Sequence, residues 1–203
     1  MIEFFYDCSS PWTYLGFESI QRVASESGVE IAWRPILVGG IFNTINPDIY
    51  AQRENPVPAK KRYMIKDLSD WARLQGLQIS FPPTLFPVNS AKAMRACIVA
   101  DRYGLLVPFS RRVFQAYWSE DRDISSEDVL GSIATETGLD AKALLSLASS
   151  PDLKAALRAN TDELIRRGGF GSPTSFVGGS DMFFGNDRMP VIRAAVEALK
   201  RRV

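Results

Sequence analysis

The stretch Ile2-Glu3-Phe4-Phe5-Tyr6-Asp7-Cys8-Ser9-Ser10-Pro11-Trp12 passes from an apolar run of strand length into the start of a helix. Ser10 is a favoured N-cap residue, and Pro11 suits the first helical position because its missing N–H needs no partner there. Gly28 ends this helix. Apolar residues at alternate positions from 29 to 33 then predict a second strand. The beginning of the chain therefore predicts the order β-α-β.

The other end of the sequence predicts two strands followed by a helix. Gly178-Gly179-Ser180 is typical of a hairpin turn between a strand at Thr174 to Val177 and another at Asp181 to Phe184. Apolar residues then recur at steps of three and four from Met189 to Val203, which predicts an amphipathic helix with Asp187 in its N-cap region.

Between these ends the apolar periodicity predicts helices only. Two β-containing ends around a helical middle imply one sheet with an insertion, since the ends must meet to complete the sheet. The order of elements matches an α/β fold with a thioredoxin-like core (β-α-β … β-β-α) and a large all-helical insertion. We expect residues 1–45 and 170–203 to form the thioredoxin-like domain and residues 46–169 to form the inserted helical domain.

Composition and charge exclude several classes of function. The 203 residues include 24 basic and 23 acidic side chains, a net charge of +1. The near-equal numbers of basic and acidic side chains differ from the basic surplus that is typical of nucleic-acid-binding proteins. We therefore expect no nucleic-acid partner. The uncharged stretch from Leu74 to Ala91 contains three prolines and predicts no membrane span. Since the first residues also lack the pattern of a signal peptide, we expect a cytoplasmic protein.

The absence of histidine limits the chemistry available to the chain. It excludes Ser-His-Asp and Cys-His catalysis, and the two cysteines, Cys8 and Cys97, form neither a CxxC motif nor a Cys₄ zinc site. We therefore expect no metal site. Cys8 is expected to be a small strand-end residue and Cys97 a buried helical one.

Four segments carry candidate functional residues. In a thioredoxin-like core the redox CxxC sits where the first strand meets a helix, but the matching stretch Ser10 to Thr13 has no sulfur, which argues against disulfide exchange. A helix N-terminus favours anions and thiolates, although Ser10 also reads as a plain N-cap. Pro173, expected in cis, would free the main chain of Ser172 for an extended peptide, unless it is an ordinary strand-edge proline.

The remaining two segments carry charged groups at helix starts. Asn186 and Asp187 directly precede the last helix. The free N–H groups there could bind a carboxylate, and Asp187 could bind an ammonium group. The alternative is that Asp187 only caps the helix. Lys60 follows Asn55 and a proline-rich loop. A cation in a first helical turn opposes the helix dipole, which indicates an anionic ligand or else a solvated basic turn.

Several of these motifs together resemble one family. Phe5-Tyr6-Asp7 with Ser10-Pro11-Trp12-Thr13-Tyr14-Leu15 is similar to the opening of the 2-hydroxychromene-2-carboxylate isomerases, which belong with the kappa-class glutathione transferases in the DsbA-like branch of the thioredoxin fold. Phe86-Pro87-Val88-Asn89-Ser90, Gly171-Ser172-Pro173-Thr174 and Phe184-Gly185-Asn186-Asp187-Arg188 extend the resemblance, in order, over nearly the whole chain. Cys8 departs from it, because an apolar residue is expected there.

The resemblance implies glutathione as cofactor and Ser10 as the catalytic residue, donating a hydrogen bond to its thiolate. It implies further cofactor-binding residues, which are Asn55, Lys60, Ser172, Pro173, Asn186 and Asp187. The first two would hold polar ends of glutathione, the Ser172 main chain its cysteinyl part, and the last two its γ-glutamyl end.

The activity implied is the interconversion of a hydroxychromene carboxylate and trans-o-hydroxybenzylidenepyruvate, or a related unsaturated keto acid, by reversible thiol addition. A homodimer and a small aromatic or unsaturated keto-acid substrate are implied as well. The alternatives are a kappa-type glutathione transferase or peroxidase and a non-catalytic glutathione-binding module.

Overall fold

A computed structural model describes residues 1–201, without the side chains of Gln52 and Arg53. The predicted thioredoxin-like order is confirmed at both ends of the chain. The elements are β1 (Ile2–Tyr6), α1 (Pro11–Ser27), β2 (Ile31–Pro35), α2 (Val38–Ile45), α3 (Asp48–Glu54), α4 (Pro58–Gln75), α5 (Ala91–Asp101), α6 (Leu106–Trp118), α7 (Glu127–Glu136), α8 (Ala141–Ala148), α9 (Pro151–Arg166), β3 (Thr174–Val177), β4 (Asp181–Phe184) and α10 (Met189–Lys200).

The four strands form one mixed sheet in the order β2-β1-β3-β4. Strand β1 runs parallel to β2, with Phe4 opposite Trp33, and antiparallel to β3, with Phe5 opposite Thr174. The hairpin partner β4 closes the order at the other edge. The two ends of the sequence therefore meet in the centre of the sheet, as the predicted insertion requires.

Strand β1 is buried on both faces, which explains why it is a continuous apolar run. On one face Tyr6 packs with the rings of Phe17 and Phe114, part of the main hydrophobic core. On the other face Phe5 packs edge-on against Phe176 in a smaller cluster with Ile36, Ile41 and Leu164. The sheet is thus covered by helices on both sides.

The helical middle packs directly on the sheet, because α9 contacts both β2 and α2. The division at 45/46 and 169/170 into two domains stays a prediction. None of the helices in residues 1–201 has the length and apolarity that crossing a bilayer requires.

Two local features refine the sequence expectations. No helix is predicted from the sequence at α2, where the weak helix formers Gly39 and Gly40 interrupt apolar residues at helical spacing, and α3 is predicted only as part of the helical segment 46–169. Asp187 lies in the predicted N-cap region, within a 3₁₀ turn (Asn186–Arg188) directly before α10, but the N-cap residue is Arg188 and its side chain makes no capping hydrogen bond. Val203, the last apolar position of the predicted stripe, lies outside the described residues.

Candidate functional site

The predicted catalytic residue Ser10 is the N-cap of α1, as expected. Its backbone is extended (φ −111°, ψ 124°) and its Oγ accepts the Thr13 N–H at 3.2 Å. The same Oγ lies 3.5 Å from the carbonyl oxygen of Ser172, so the start of α1 faces the segment that leads into β3. The half-buried hydroxyl thus stands at the positive end of a helix, where a thiolate is stabilised.

The Ser172-Pro173 peptide bond is cis, as expected. Ser172 is buried, and its Oγ is hydrogen-bonded to Thr13 Oγ1 at 2.8 Å and accepts the Asp7 N–H at 3.1 Å. The Ser172 side chain is therefore engaged by the scaffold. Its main chain lies just outside β3 and is not part of the sheet.

The turn before α10 comes next to this proline. The Gly185 N–H donates to the Pro173 carbonyl at 3.0 Å, and Gly185 has φ of 111°, a conformation suited to glycine. Asn186 is 6% exposed, and its Nδ2 has no hydrogen-bond partner among the described residues. Exposed Asp187 makes an ion pair with Arg188 at 3.2 Å. The structure therefore brings Asn186 and Asp187 to the end of the sheet that also carries Ser10 and Ser172.

The two remaining predicted residues lie on the segment between β2 and α5. Asn55 ends α3 and Lys60 lies in the first turn of α4, and both side chains are exposed. Helix α4 packs against α1 through Leu68 and Leu15. The contacts described for residues 1–201 do not connect either Asn55 or Lys60 with Ser10, so their role stays a prediction.

Sequence reasoning missed Asp7 as a residue of the site. Its carboxylate is fully buried and accepts hydrogen bonds from the Ser9 N–H at 2.9 Å, the Val38 N–H at 2.8 Å and the Ser90 hydroxyl at 3.0 Å. Burial raises the pKa of this carboxyl, while the hydrogen bonds lower it in part. An acidic residue directly after a buried strand was the one available signal.

The two cysteines are buried parts of the main hydrophobic core. Cys8 and Cys97 are both buried and form no disulfide. The Cys8 N–H donates to Met94 Sδ at 3.3 Å, and its carbonyl accepts the Trp118 Nε1–H at 2.8 Å. Burial raises the pKa of the Cys8 thiol well above its ordinary value, so the thiol is neutral at pH 7. The expectation of small buried residues is confirmed.

Comparisons with known proteins agree with this architecture. A family described as a DSBA-like thioredoxin domain matches residues 1–197. The chain belongs to the DsbA-like thioredoxin family. Within that family, it is 30% identical to glutathione S-transferase kappa 1 of Rattus norvegicus, over 95% of this chain and 88% of the relative.

The chain is also similar to 2-hydroxychromene-2-carboxylate isomerases, both in sequence and in structure. The chain is 26% identical to a 2-hydroxychromene-2-carboxylate isomerase of Pseudomonas putida, over 100% of this chain and 97% of the relative. A solved structure of a 2-hydroxychromene-2-carboxylate isomerase superposes with a TM-score of 0.82 at 25% identity, covering 99% of this chain and 96% of that one. The predicted fold and the family resemblance are thereby confirmed.

Proposed function

We propose that the chain is a glutathione-dependent isomerase that interconverts a hydroxychromene carboxylate and trans-o-hydroxybenzylidenepyruvate, or a related unsaturated keto acid. The observation that carries this proposal is the Ser10 hydroxyl, which stands at the N-terminus of α1 and 3.5 Å from the Ser172 carbonyl, where redox relatives carry sulfur. The thiol nearest in sequence, Cys8, is buried and neutral. In this proposal the reactive thiol is that of bound glutathione.

The residues present fit glutathione at this place. The buried Asn186 Nδ2, which hydrogen-bonds to none of the described groups, would donate to the carboxylate of the γ-glutamyl end. Asp187 would accept from its ammonium group. The main chain of Ser172, before Pro173, would pair with the cysteinyl part, and exposed Asn55 and Lys60 would hold the remaining polar ends.

Bound glutathione would supply a thiolate that adds reversibly to the conjugated double bond, which becomes a single bond able to rotate until elimination restores it. The Ser10 hydroxyl would donate a hydrogen bond to that thiolate. The N-terminus of α1 would stabilise the same charge, and together they would lower the thiol pKa. Ser172, Asn186 and Asp187 would fix the tripeptide so that its sulfur meets the acceptor in one orientation.

The remaining expectations belong to the same proposal. The substrate is a small aromatic or unsaturated keto acid, and the protein works as a homodimer in the cytoplasm. A kappa-type transferase or peroxidase is the alternative, since the relatives include a kappa-class enzyme. The second alternative is a module that binds glutathione without catalysing a reaction.

The first test is a thermal-shift titration with reduced glutathione and with S-methylglutathione. A ligand at 100 times its Kd stabilises by about 2.7 kcal/mol, which corresponds to about 5–10 °C for a chain of this size. We expect a larger shift with the free thiol than with the S-methyl form. A titration that gives no shift at millimolar glutathione would refute the proposal.

Mass spectrometry after turnover then separates the two kinds of enzyme. An isomerase returns free glutathione, whereas a transferase leaves it covalently attached to the product.

A matched pair of serines isolates the role of Ser10 from its capping role. Ser150 is also an N-cap followed by proline, and its Oγ accepts the Leu153 N–H at 3.3 Å. Ser10→Ala and Ser150→Ala should each cost about 1 kcal/mol of stability. Only Ser10→Ala should raise the thiol pKa of bound glutathione and lower turnover about 10²–10³-fold, the effect of removing one hydrogen-bond donor from a developing or stabilised anion. Equal turnover in the two variants would refute a catalytic Ser10.

A further inference from the structure

The buried carboxylate of Asp7 connects three parts of the chain that are distant in sequence. Its Oδ1 accepts the Ser9 N–H in the loop between β1 and α1. Its Oδ2 accepts the N–H of Val38, the first residue of α2, and the hydroxyl of Ser90, which precedes α5. No ion pair involves this carboxylate among the salt bridges described for residues 1–201. Hydrogen bonds from Ser9, Val38 and Ser90, rather than an ion pair, therefore offset the cost of burying its charge.

Asp7 also shapes the turn that presents Ser10. The bond from the Ser9 N–H to Oδ1 joins a second bond, in which the Ser10 N–H donates to the Asp7 carbonyl at 3.2 Å. Side chain and main chain of one residue thus close the same turn, as aspartate commonly does. The last residue of this turn is the N-cap that carries the hydroxyl of the site.

The opposite wall of the site depends on the same residue. The Asp7 N–H donates to Ser172 Oγ at 3.1 Å, and that oxygen is bonded in turn to Thr13 Oγ1. Asp7 therefore fixes both Ser10 and Ser172. Through Val38 it also anchors the start of the segment that carries Asn55 and Lys60.

We propose that Asp7 is a positioning residue of the glutathione site, whose carboxylate locks the Ser9-Ser10 turn against the first turns of α2 and α5. The inference rests on the proposed glutathione-dependent function. A carboxylate is needed because all the groups that face it are donors. An asparagine amide would turn its own N–H₂ group towards either the Ser9 N–H or the Val38 N–H.

A positioning role and a bare charge effect have opposite consequences for the thiol. If the Asp7 carboxylate acted only as a nearby anion, its removal would favour the thiolate and lower the thiol pKa of bound glutathione. If it positions Ser10, its removal misplaces the hydrogen-bond donor, and the thiol pKa rises. A loss of stability alone would leave the thiol pKa of the folded protein unchanged.

The experiment is a titration of bound glutathione by its thiolate ultraviolet absorbance in the wild type, Asp7→Asn and Ser90→Ala. We expect the bound-thiol pKa to rise by about one unit in Asp7→Asn, a tenfold fall in the acid dissociation constant of the thiol, and by less in Ser90→Ala, which removes only one of the hydrogen bonds to the carboxylate. The control is Asp140→Asn, because Asp140 caps α8 through the Ala143 N–H at 2.7 Å away from this network. It should leave the thiol pKa as in the wild type.

Each result separates the inference from the function on which it rests. If the wild type does not lower the thiol pKa of added glutathione, the proposed function fails, and the role of Asp7 fails with it. If the wild type lowers it and folded Asp7→Asn lowers it as much or more, the function stands and the positioning role is wrong. Should Asp7→Asn not fold, Ser90→Ala decides, because an unchanged thiol pKa there overturns the inference.

Discussion

Gly16 of α1 approaches Pro173 so closely that a Cβ atom on Gly16 would lie 2.8 Å from Cγ of the proline ring. Phe4 lies behind it, with Cζ 3.5 Å from the same position. Neither group is the flexible end of a long side chain. This contact therefore sets the separation between α1, which carries Ser10, and the segment that carries Ser172.

Gly16→Ala should weaken glutathione binding, because the added methyl group forces Pro173 away from α1. Overpacking lowers the free energy of unfolding by about 1–3 kcal/mol, and the better helix propensity of alanine offsets at most about 1 kcal/mol of that loss. The control is Gly131→Ala in α7, where the nearest atoms lie 3.7 Å away and only the propensity gain of about 1 kcal/mol is expected. Calorimetry measures the Kd, and wild-type affinity in Gly16→Ala would contradict the argument.

Asn186→Leu should leave the ligand-free protein as stable as the wild type, or more stable by about 1 kcal/mol, since the lost Nδ2 has no partner among the described residues. Its thermal shift with glutathione should shrink. Asn160→Leu is the control, because Asn160 Nδ2 donates to the Pro35 carbonyl at 2.9 Å. That variant should lose about 1–3 kcal/mol and keep the glutathione shift. The reverse pattern would exclude Asn186 from the site.

The pair of Glu3 and Arg167 should make stability depend on pH. Arg167 donates to both oxygens of Glu3, at 2.7 and 3.0 Å, and holds the pKa of Glu3 below its ordinary value of 4.5. This stabilisation is fully present above pH 4.5 and is lost as the pH falls through the lowered pKa of the folded state. Urea unfolding of Glu3→Gln should show a deficit of about 1.5–3 kcal/mol at pH 7.

The deficit of Glu3→Gln should shrink as the pH is lowered towards 3, because the wild type then loses the same interaction. Glu127→Gln serves as the comparison, since Glu127 is 56% exposed in its pair with Lys92. An exposed pair is worth about 0–1 kcal/mol, so that variant should differ little from the wild type at any pH. A constant deficit in Glu3→Gln would refute the electrostatic origin.

Trp118→Phe should destabilise the fold by about 1–3 kcal/mol, because the Cys8 carbonyl then loses the indole N–H that it accepts at 2.8 Å in a buried place. The Tm should fall by about 2–4 °C for each kcal/mol. The control is Tyr117→Phe, which removes a hydrogen bond of the same length to the Leu85 carbonyl. Because Leu85 is 46% exposed, water can replace the lost hydroxyl, and this variant should lose less stability. Equal losses in calorimetry would show that the Cys8 carbonyl is not the critical acceptor.

Much of the fold was predictable because its signals are local. The N-cap Ser10, the end of α1 at Gly28 and the hairpin around Gly178-Gly179 each follow from the preferences of a few adjacent residues. Strand β1 was predictable because burial on both faces makes it apolar throughout. Helix α2 was missed although Val38, Ile41 and Ile45 have helical spacing, since Gly39 and Gly40 between them are weak helix formers, and the seven residues of α3 show no apolar stripe.

The site was predictable only in part, because some of its bonds join residues far apart in sequence. That Ser10 caps a helix can be read from its neighbours. That Asp7 binds Val38 and Ser90, which lie 31 and 83 residues away, depends on the packing of three elements. The 3₁₀ turn that contains Asp187 likewise adjoins a long-range bond, in which the Gly185 N–H donates to the Pro173 carbonyl across the hairpin.

The antiparallel pairing of β1 with β3 has a consequence for biosynthesis. Ser10 and Ser172 are separated by 162 positions, so a growing chain exposes an unpaired β1 edge until β3 has left the ribosome. Pairings of such long range slow folding, and open strand edges invite contacts with other chains. The pairing of Ser10 with Ser172 has to wait until β3 has been synthesised, and nascent chains stalled before β3 should depend most on chaperones.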